Sequence, residues 1–245
     1  MKISFSTLAC PDFSWVDIYS MAKDLGFGGI EVRGLGEDIF AVNARPFTDE
    51  QLPKTVEKLR SLGLEIPCLA SGCGLKYKED FDKNVSEVTQ YIVLAKKLGT
   101  PYIRVLGDRY PQPEGEVDDE FVVSALKLLG TIAQGFGVSL LVETNGVYSD
   151  TRRLRNLLDQ VNLPSVAALW DMHHPYRYGG ESPKETVEHL GSYIKYVHVK
   201  DSVMVDGKVQ YRLMGEGDLP IEEMLDALVD VGYDGYISLE WVKRW

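Results

Sequence analysis

Cysteine is scarce in this sequence. Cys10, Cys68 and Cys73 make an odd count with no CxxC pair, which excludes a disulfide framework and reads as reduced thiols in a cytoplasmic protein. Positive charge is also short. The 26 Lys and Arg face 37 Asp and Glu, a formal net charge of −11, so a phosphate backbone would be repelled and no nucleic-acid partner is expected. Long apolar runs are missing. None approaches the roughly 18 residues of a membrane span, and the opening MKISFSTLAC lacks the basic start and apolar core of a signal peptide. No membrane partner is expected. The GxGxxG turn of a dinucleotide-binding sheet is absent too: STLACPDFS follows the first apolar run.

What is present is a repeated junction. Helical patterns end in Leu-Gly or Phe-Gly and a short β-rich run follows, as in DLGFGGIEVR, SLGLEIPCLA, KLGTPYIRVLG and GFGVSLLVET. Gly26, Gly63, Gly99 and Gly137 recur at intervals of 36 to 38 residues, where glycine can end a helix in the left-handed conformation. Between them, Thr48 and Gln51 have capping-box spacing ahead of Leu52, Val56, Leu59 and Leu62 on one face. Asp218 is placed to cap a helix carrying Ile221, Leu225 and Leu228. Eight strands are predicted, over residues 2–7, 28–33, 64–70, 102–107, 138–143, 166–171, 194–200 and 235–240. Nearly continuous apolar runs suit parallel strands covered on both faces. The α/β alternation and the length of 245 residues predict one (β/α)8 TIM barrel domain over 1–245. Only WVKRW follows the eighth strand, too little for an eighth helix. Either the chain is truncated, or a partner or the first helix covers that flank. Trp241 and Trp245 mark it as a candidate homo-oligomer surface.

Barrels of this type gather their functional groups at the C-terminal strand ends. Those ends hold Glu31 and Arg33, Arg104, Glu143, Asp171 with His173 and His174, His198 with Lys200, and Glu240. Side chains alternate along a strand. Glu143 therefore shares a face with Leu141 and Ser139, Glu240 with Ser238 and Tyr236, and His198 and Lys200 with Tyr196. All point into the mouth. Glu143, Asp171, His198 and Glu240 come from four consecutive strands, and three carboxylates in one pocket repel unless a cation or proton intervenes. Three oxygens and an imidazole suit one divalent ion, Mn2+ or Mg2+, with Co2+ and Zn2+ as further candidates. The competing reading is a salt-bridge network with Arg33, Arg104, Arg177 and Lys200.

The motifs ETN at 143–145, WDMHH at 170–174, HVKD at 198–201, GEGDLP at 215–220 and SLEW at 238–241 resemble the xylose isomerase-like barrel superfamily over essentially the whole chain. That superfamily holds sugar isomerases and epimerases, inosose dehydratases and endonuclease IV, and the sequence is most similar to its sugar phosphate isomerase/epimerase group. The resemblance implies that Glu143, Asp171, His198 and Glu240 are metal ligands, that both glutamates exchange protons with substrate carbon, and that His174 touches substrate. His173 is read as facing the wall or loop. Two departures weaken a ketose 3-epimerase: Met204 stands where that group has arginine, and Ser149 where it has glutamate. Four histidines are too few for the three metals of endonuclease IV.

The expected activity is isomerisation or epimerisation of a small sugar or polyol, with Glu143 and Glu240 as acid and base. His174, Lys200, Arg104, Glu31 and Arg177 are candidates for binding substrate. The alternative is a dehydratase of a keto-inositol or dehydroshikimate-like substrate, with Lys200 and His174 donating to the leaving hydroxyl. A binding barrel without turnover is the third class. Gly215-Glu216-Gly217 reads as a plain turn, because Glu216 would repel phosphate, and an unphosphorylated polyol is expected.

Overall fold

The junctions between helix and strand set the architecture. In the computed structural model, which describes residues 1–241 and 243, Gly63 and Gly99 follow their helices with φ of 69° and 73°. Only glycine reaches that conformation without steric cost, so each helix stops there and the chain turns back toward the next strand. The elements are β1 (Lys2–Ser6), α1 (Trp15–Asp24), β2 (Gly29–Glu31), α2 (Leu52–Leu62), β3 (Cys68–Gly74), α3 (Phe81–Leu98), β4 (Tyr102–Leu106) and α4 (Asp119–Phe136). They continue with β5 (Ser139–Glu143), α5 (Thr151–Val161), β6 (Val166–Asp171), α6 (Pro183–Leu190), β7 (Ile194–Val199), β8 (Asp201–Val205), β9 (Lys208–Arg212), α7 (Ile221–Asp230) and β10 (Tyr236–Leu239).

Eight of the strands form one parallel sheet in the order β2-β1-β10-β7-β6-β5-β4-β3. Its two edge strands meet only through single bridges, Gly29 to Glu65 and Val32 to Leu69, so the barrel is nearly closed. Alternation along the strands divides the core. Cys68, Leu141, Ala167, Leu169, Tyr196 and Tyr236 pack together inside the barrel. Their neighbours Leu69, Leu140, Val142, Ala168 and Val197 face the helices. Trp170 and Ile103 are fully buried in that outer layer, and each such side chain contributes about 1.5–3 kcal/mol. Among the described residues no helix follows β10, and no helix is long and apolar enough to cross a membrane. The three cysteines are buried and unpaired. Trp245 lies outside the described residues.

Three local expectations are corrected, and one element is new. The third strand begins at Cys68 rather than residue 64, because Pro67 has no N–H to give the ladder. Thr48 does not cap α2: its hydroxyl donates to Arg45 O at 3.0 Å, and Gln51 occupies the cap without a side-chain bond. Asp218 does not cap α7, which starts after Pro220, because its carboxylate pairs with Arg177. Finally, β8 and β9 form an antiparallel hairpin that rises beyond β7.

Candidate metal centre

Parallel register brings the acidic strand ends to one level. Glu143 pairs with Leu169 across β5 and β6, and Asp171 pairs with His198 across β6 and β7. Ser238 pairs with His198 across β10 and β7, which leaves Glu240 one inward position further up. One ligating atom from each of Glu143, Asp171, His198 and Glu240 lies within 4.8 Å of the others, and all four residues are buried.

His198 organises the centre. Its Nε2 lies 2.9 Å from Glu31 Oε2, and a carboxylate only accepts, so Nε2 carries the proton. The free Nδ1 then faces Glu240 Oε1 at 3.5 Å and Glu143 Oε1 and Asp171 Oδ2 at 3.9 Å each, with no hydrogen-bond partner. The two glutamates are arranged alike: each turns Oε1 to this centre and Oε2 to a cation. Glu143 Oε2 is 3.4 Å from Arg104 Nε, and Glu240 Oε2 meets Lys200 Nζ. Lys200 also reaches Asp171 Oδ2 at 2.6 Å.

This donor set fits a divalent cation. A buried imidazole nitrogen aimed at three carboxylate oxygens without a hydrogen-bond partner calls for a proton or a metal ion there, and a carboxylate behind the imidazole is the usual support of a metal-bound histidine. The charge balance agrees. Burial alone would keep His198 neutral, yet Glu31 and Glu240 push its pKa up to about 10, a demand for positive charge at this spot. Burial raises the Glu143 carboxyl to about 7, with Arg104 pulling the other way. Burial also disfavours ionised Glu240, but Lys200 and His198 hold it well below the usual carboxylate range.

The neighbouring histidines have separate tasks. His174 Nδ1 donates to Thr144 O at 3.1 Å, which leaves Nε2 unprotonated, unpartnered and 3.6 Å from Asp171 Oδ2. In this tautomer His174 accepts a proton or a substrate hydroxyl; the donor role expected for the dehydratase does not suit it. Burial, partly offset by Asp171, lowers its pKa to about 4. His173 bonds Ser202 Oγ at 3.0 Å, at the foot of the hairpin. Arg177 is not brought to the cluster: Nε and Nη2 donate to Ser202 Oγ and O, and Nη2 also meets Asp218. Glu31 stands behind His198 and is fully buried. The Gly215 and Gly217 N–H groups both donate to Asp201 Oδ2, at 3.0 and 2.9 Å, so that turn has no free donors for phosphate.

Two residues of the mouth escaped the sequence reading. Tyr211 of β9 stacks on His173 at 5.4 Å, and Tyr178 packs against both His173 and His174 at 5.7 and 5.8 Å. They wall the site on the hairpin side. The available signal was Asp206-Gly207 between VMV and KVQY, a hairpin turn with φ of 49° and 72°.

The sequence profile of the family described as Xylose isomerase-like TIM barrel matches residues 20–245. The chain belongs to that family. A relative within reach of this xylose isomerase-like barrel is the 3-dehydroshikimate dehydratase of Bacillus anthracis, 23% identical over 98% of this chain and 91% of that protein. The fructoselysine 3-epimerase of Escherichia coli O157:H7 is 27% identical over 46% of this chain, a stretch spanning 42% of the epimerase. Among solved structures, the IOLI protein with a binding zinc atom superposes with a TM-score of 0.82 at 18% identity, covering 99% of this chain and 90% of that one. A D-tagatose 3-epimerase-like protein superposes at 0.78 with 20% identity, covering 100% and 92%. At such identities these structures share the fold.

Proposed function

We propose that this protein is a divalent-metal-dependent enzyme that removes a proton next to the carbonyl of a sugar or keto-polyol and returns it, as an isomerase or epimerase. The carrying observation is the unpartnered His198 Nδ1 facing Glu143, Asp171 and Glu240 at 3.5–3.9 Å. The zinc in the IOLI relative supports a metal here. A divalent ion held by these four residues would supply Lewis acidity to the substrate's oxygens. Mn2+ is the ion favoured by three oxygen donors and one nitrogen.

The residues account for the rest. Glu143 and Glu240 stand at the two ends of the four-strand arc β5-β6-β7-β10. One takes the proton from substrate carbon and the proton is returned to carbon from a glutamate, in the same or the opposite sense. Lys200 stabilises oxygen charge as the enolate forms. His174 Nε2 accepts a hydroxyl proton and fixes the substrate's orientation. Tyr178 and Tyr211 exclude water from that side.

A dehydratase is the second reading, favoured by the 3-dehydroshikimate dehydratase that matches nearly end to end. The first step is the same. The enolate then expels a β-hydroxyl, which takes a proton from Lys200 and leaves as water. Incubation with Mn2+ in D2O across ketoses, inososes and dehydroshikimate separates the outcomes. Carbon-bound deuterium at unchanged formula identifies an isomerase or epimerase, and loss of water identifies the lyase. Absence of both, in protein that binds no divalent ion, rejects the reading.

A further inference from the structure

Two arginines stand at the mouth on the β2–β4 side, where Arg104 meets the ligand cluster at Glu143. Arg33, just past β2, has the inward parity of Gly29 and Glu31, and Arg104 is the third residue of β4. Between them lies β3, whose Gly72 leaves an inward position without a side chain. A Cβ there would sit 3.1 Å from Arg33 Nη2. Arg33 thus leans across β3 toward Arg104.

Among the described residues, Arg33 forms no ion pair, and Arg104 is paired with Glu143 alone. The one side-chain hydrogen bond of Arg33 goes to Ile39 O at 2.9 Å. Glu87, which shares the space around Gly72, accepts from the Gly72 N–H at 2.5 Å. Arg104 is buried, with a single acid, Glu143, at 3.4 Å from Nε, and that nitrogen forms no hydrogen bond. Burial and then Arg104 itself depress the pKa of Arg33, as expected of like charges held close together. Against burial, Glu143, Glu240 and Glu31 hold the charge on Arg104, but Arg33 beside it has no ion pair, and a shared anion would satisfy both guanidiniums.

Charge developing on a substrate enolate would meet the β5–β10 arc and Lys200. Arg33 and Arg104 flank β3 beside that arc, where a second anionic group on the substrate would reach both.

We propose that Arg33 and Arg104 clamp a carboxylate of the substrate, so that the enzyme acts on an acidic keto-polyol rather than a neutral sugar. The clamp rests on the mouth being the substrate site, as proposed above. Arg33 supplies Nη2 and Nε, Arg104 its terminal amino groups, and Gly72 the room for both.

Quinate and myo-inositol test it, being cyclic polyols that differ chiefly in one carboxylate. Calorimetric titration of each into Mn2+-loaded protein should show quinate binding at least about tenfold more tightly. In Arg33→Met that ratio should collapse toward one, and Arg33→Lys should restore part of it. Quinate binding no tighter than inositol overturns the clamp. So does a preference that survives in Arg33→Met, since the carboxylate would then be read by the metal alone. Manganese stoichiometry and deuterium exchange keep the two readings apart. Loss of both defeats the metal-enzyme reading, whereas exchange into neutral ketoses as fast as into acidic keto-polyols defeats only the clamp.

Discussion

The proposed ligand histidine has a carboxylate at its back, and most of the site's behaviour at the scale of single residues follows from that. Glu31 fixes the proton on Nε2 and keeps the Nδ1 lone pair aimed at the acids. Glu31→Gln should therefore weaken Mn2+ binding about 10- to 100-fold, measured by competition with a fluorescent chelator. Lys200 acts in the opposite sense. It holds Asp171 Oδ2 at 2.6 Å and also meets Glu240, so it competes with a metal for two of the four ligands. Lys200→Met should bind Mn2+ more tightly than wild type while losing most turnover. Weaker binding would show that the lysine supports the site instead. The pH dependence has a definite sign. Because the carboxylates overcome burial and raise His198 to about 10, its proton steadies the metal-free protein at and below the ordinary histidine pKa of about 6.5. That contribution fades as pH rises through 10. An incoming ion must displace the proton, so Mn2+ affinity should climb by up to about tenfold per unit between pH 6.5 and 8.5. A flat profile in titration calorimetry would contradict this.

Elements decide which parts of the site could be read from the chain. Inward parity on four consecutive strands was enough to bring Glu143, Asp171, His198 and Glu240 together, since a period of two leaves no freedom about which face a residue takes. The hairpin β8–β9 escapes that rule, because after HVK the alternation of a barrel leads to a helix. With it went Tyr211 and the anchoring role of Arg177. Glu31 was assigned to substrate for the same reason: parity gives direction but not depth, and depth places it behind His198. The hairpin is tied down by Asp201, whose carboxylate accepts from the N–H groups of Ser202, Gly215 and Gly217 at 2.8, 3.0 and 2.9 Å. Gly217 packs so closely on it that a Cβ would lie 1.9 Å from Oδ1. Asp201→Ala should cost about 2–4 kcal/mol. Hydrogen exchange should speed up across residues 202–218, with Mn2+ affinity changed far less than catalysis.

For the whole molecule, the repeated glycine junction foretold eight strands and the barrel, but not that one seam would be closed by two isolated bridges. Where Pro67 delays β3, the two edge strands meet only at single bridges. A cation shared by β5, β6, β7 and β10 would tie four staves of the sheet together, so metal should stabilise the fold globally. At a hundredfold excess over its dissociation constant it adds about 2.7 kcal/mol, or roughly 5–10 °C in melting temperature for a domain of this size. Calorimetric scans with Mn2+ and with a chelator would show the difference, and coincident scans would argue against a shared cation.

The seam runs beside the stave that bears Glu31 and Arg33. Between them Val32 donates to Cys68 O at 3.2 Å and accepts from Ala70 N–H at 2.9 Å across it. The prop of the proposed ligand imidazole and half of the proposed anion clamp thus hang on one pair of rungs. Breaking that pair would slacken both grips at once, releasing a bound acid and loosening the ion in a single motion.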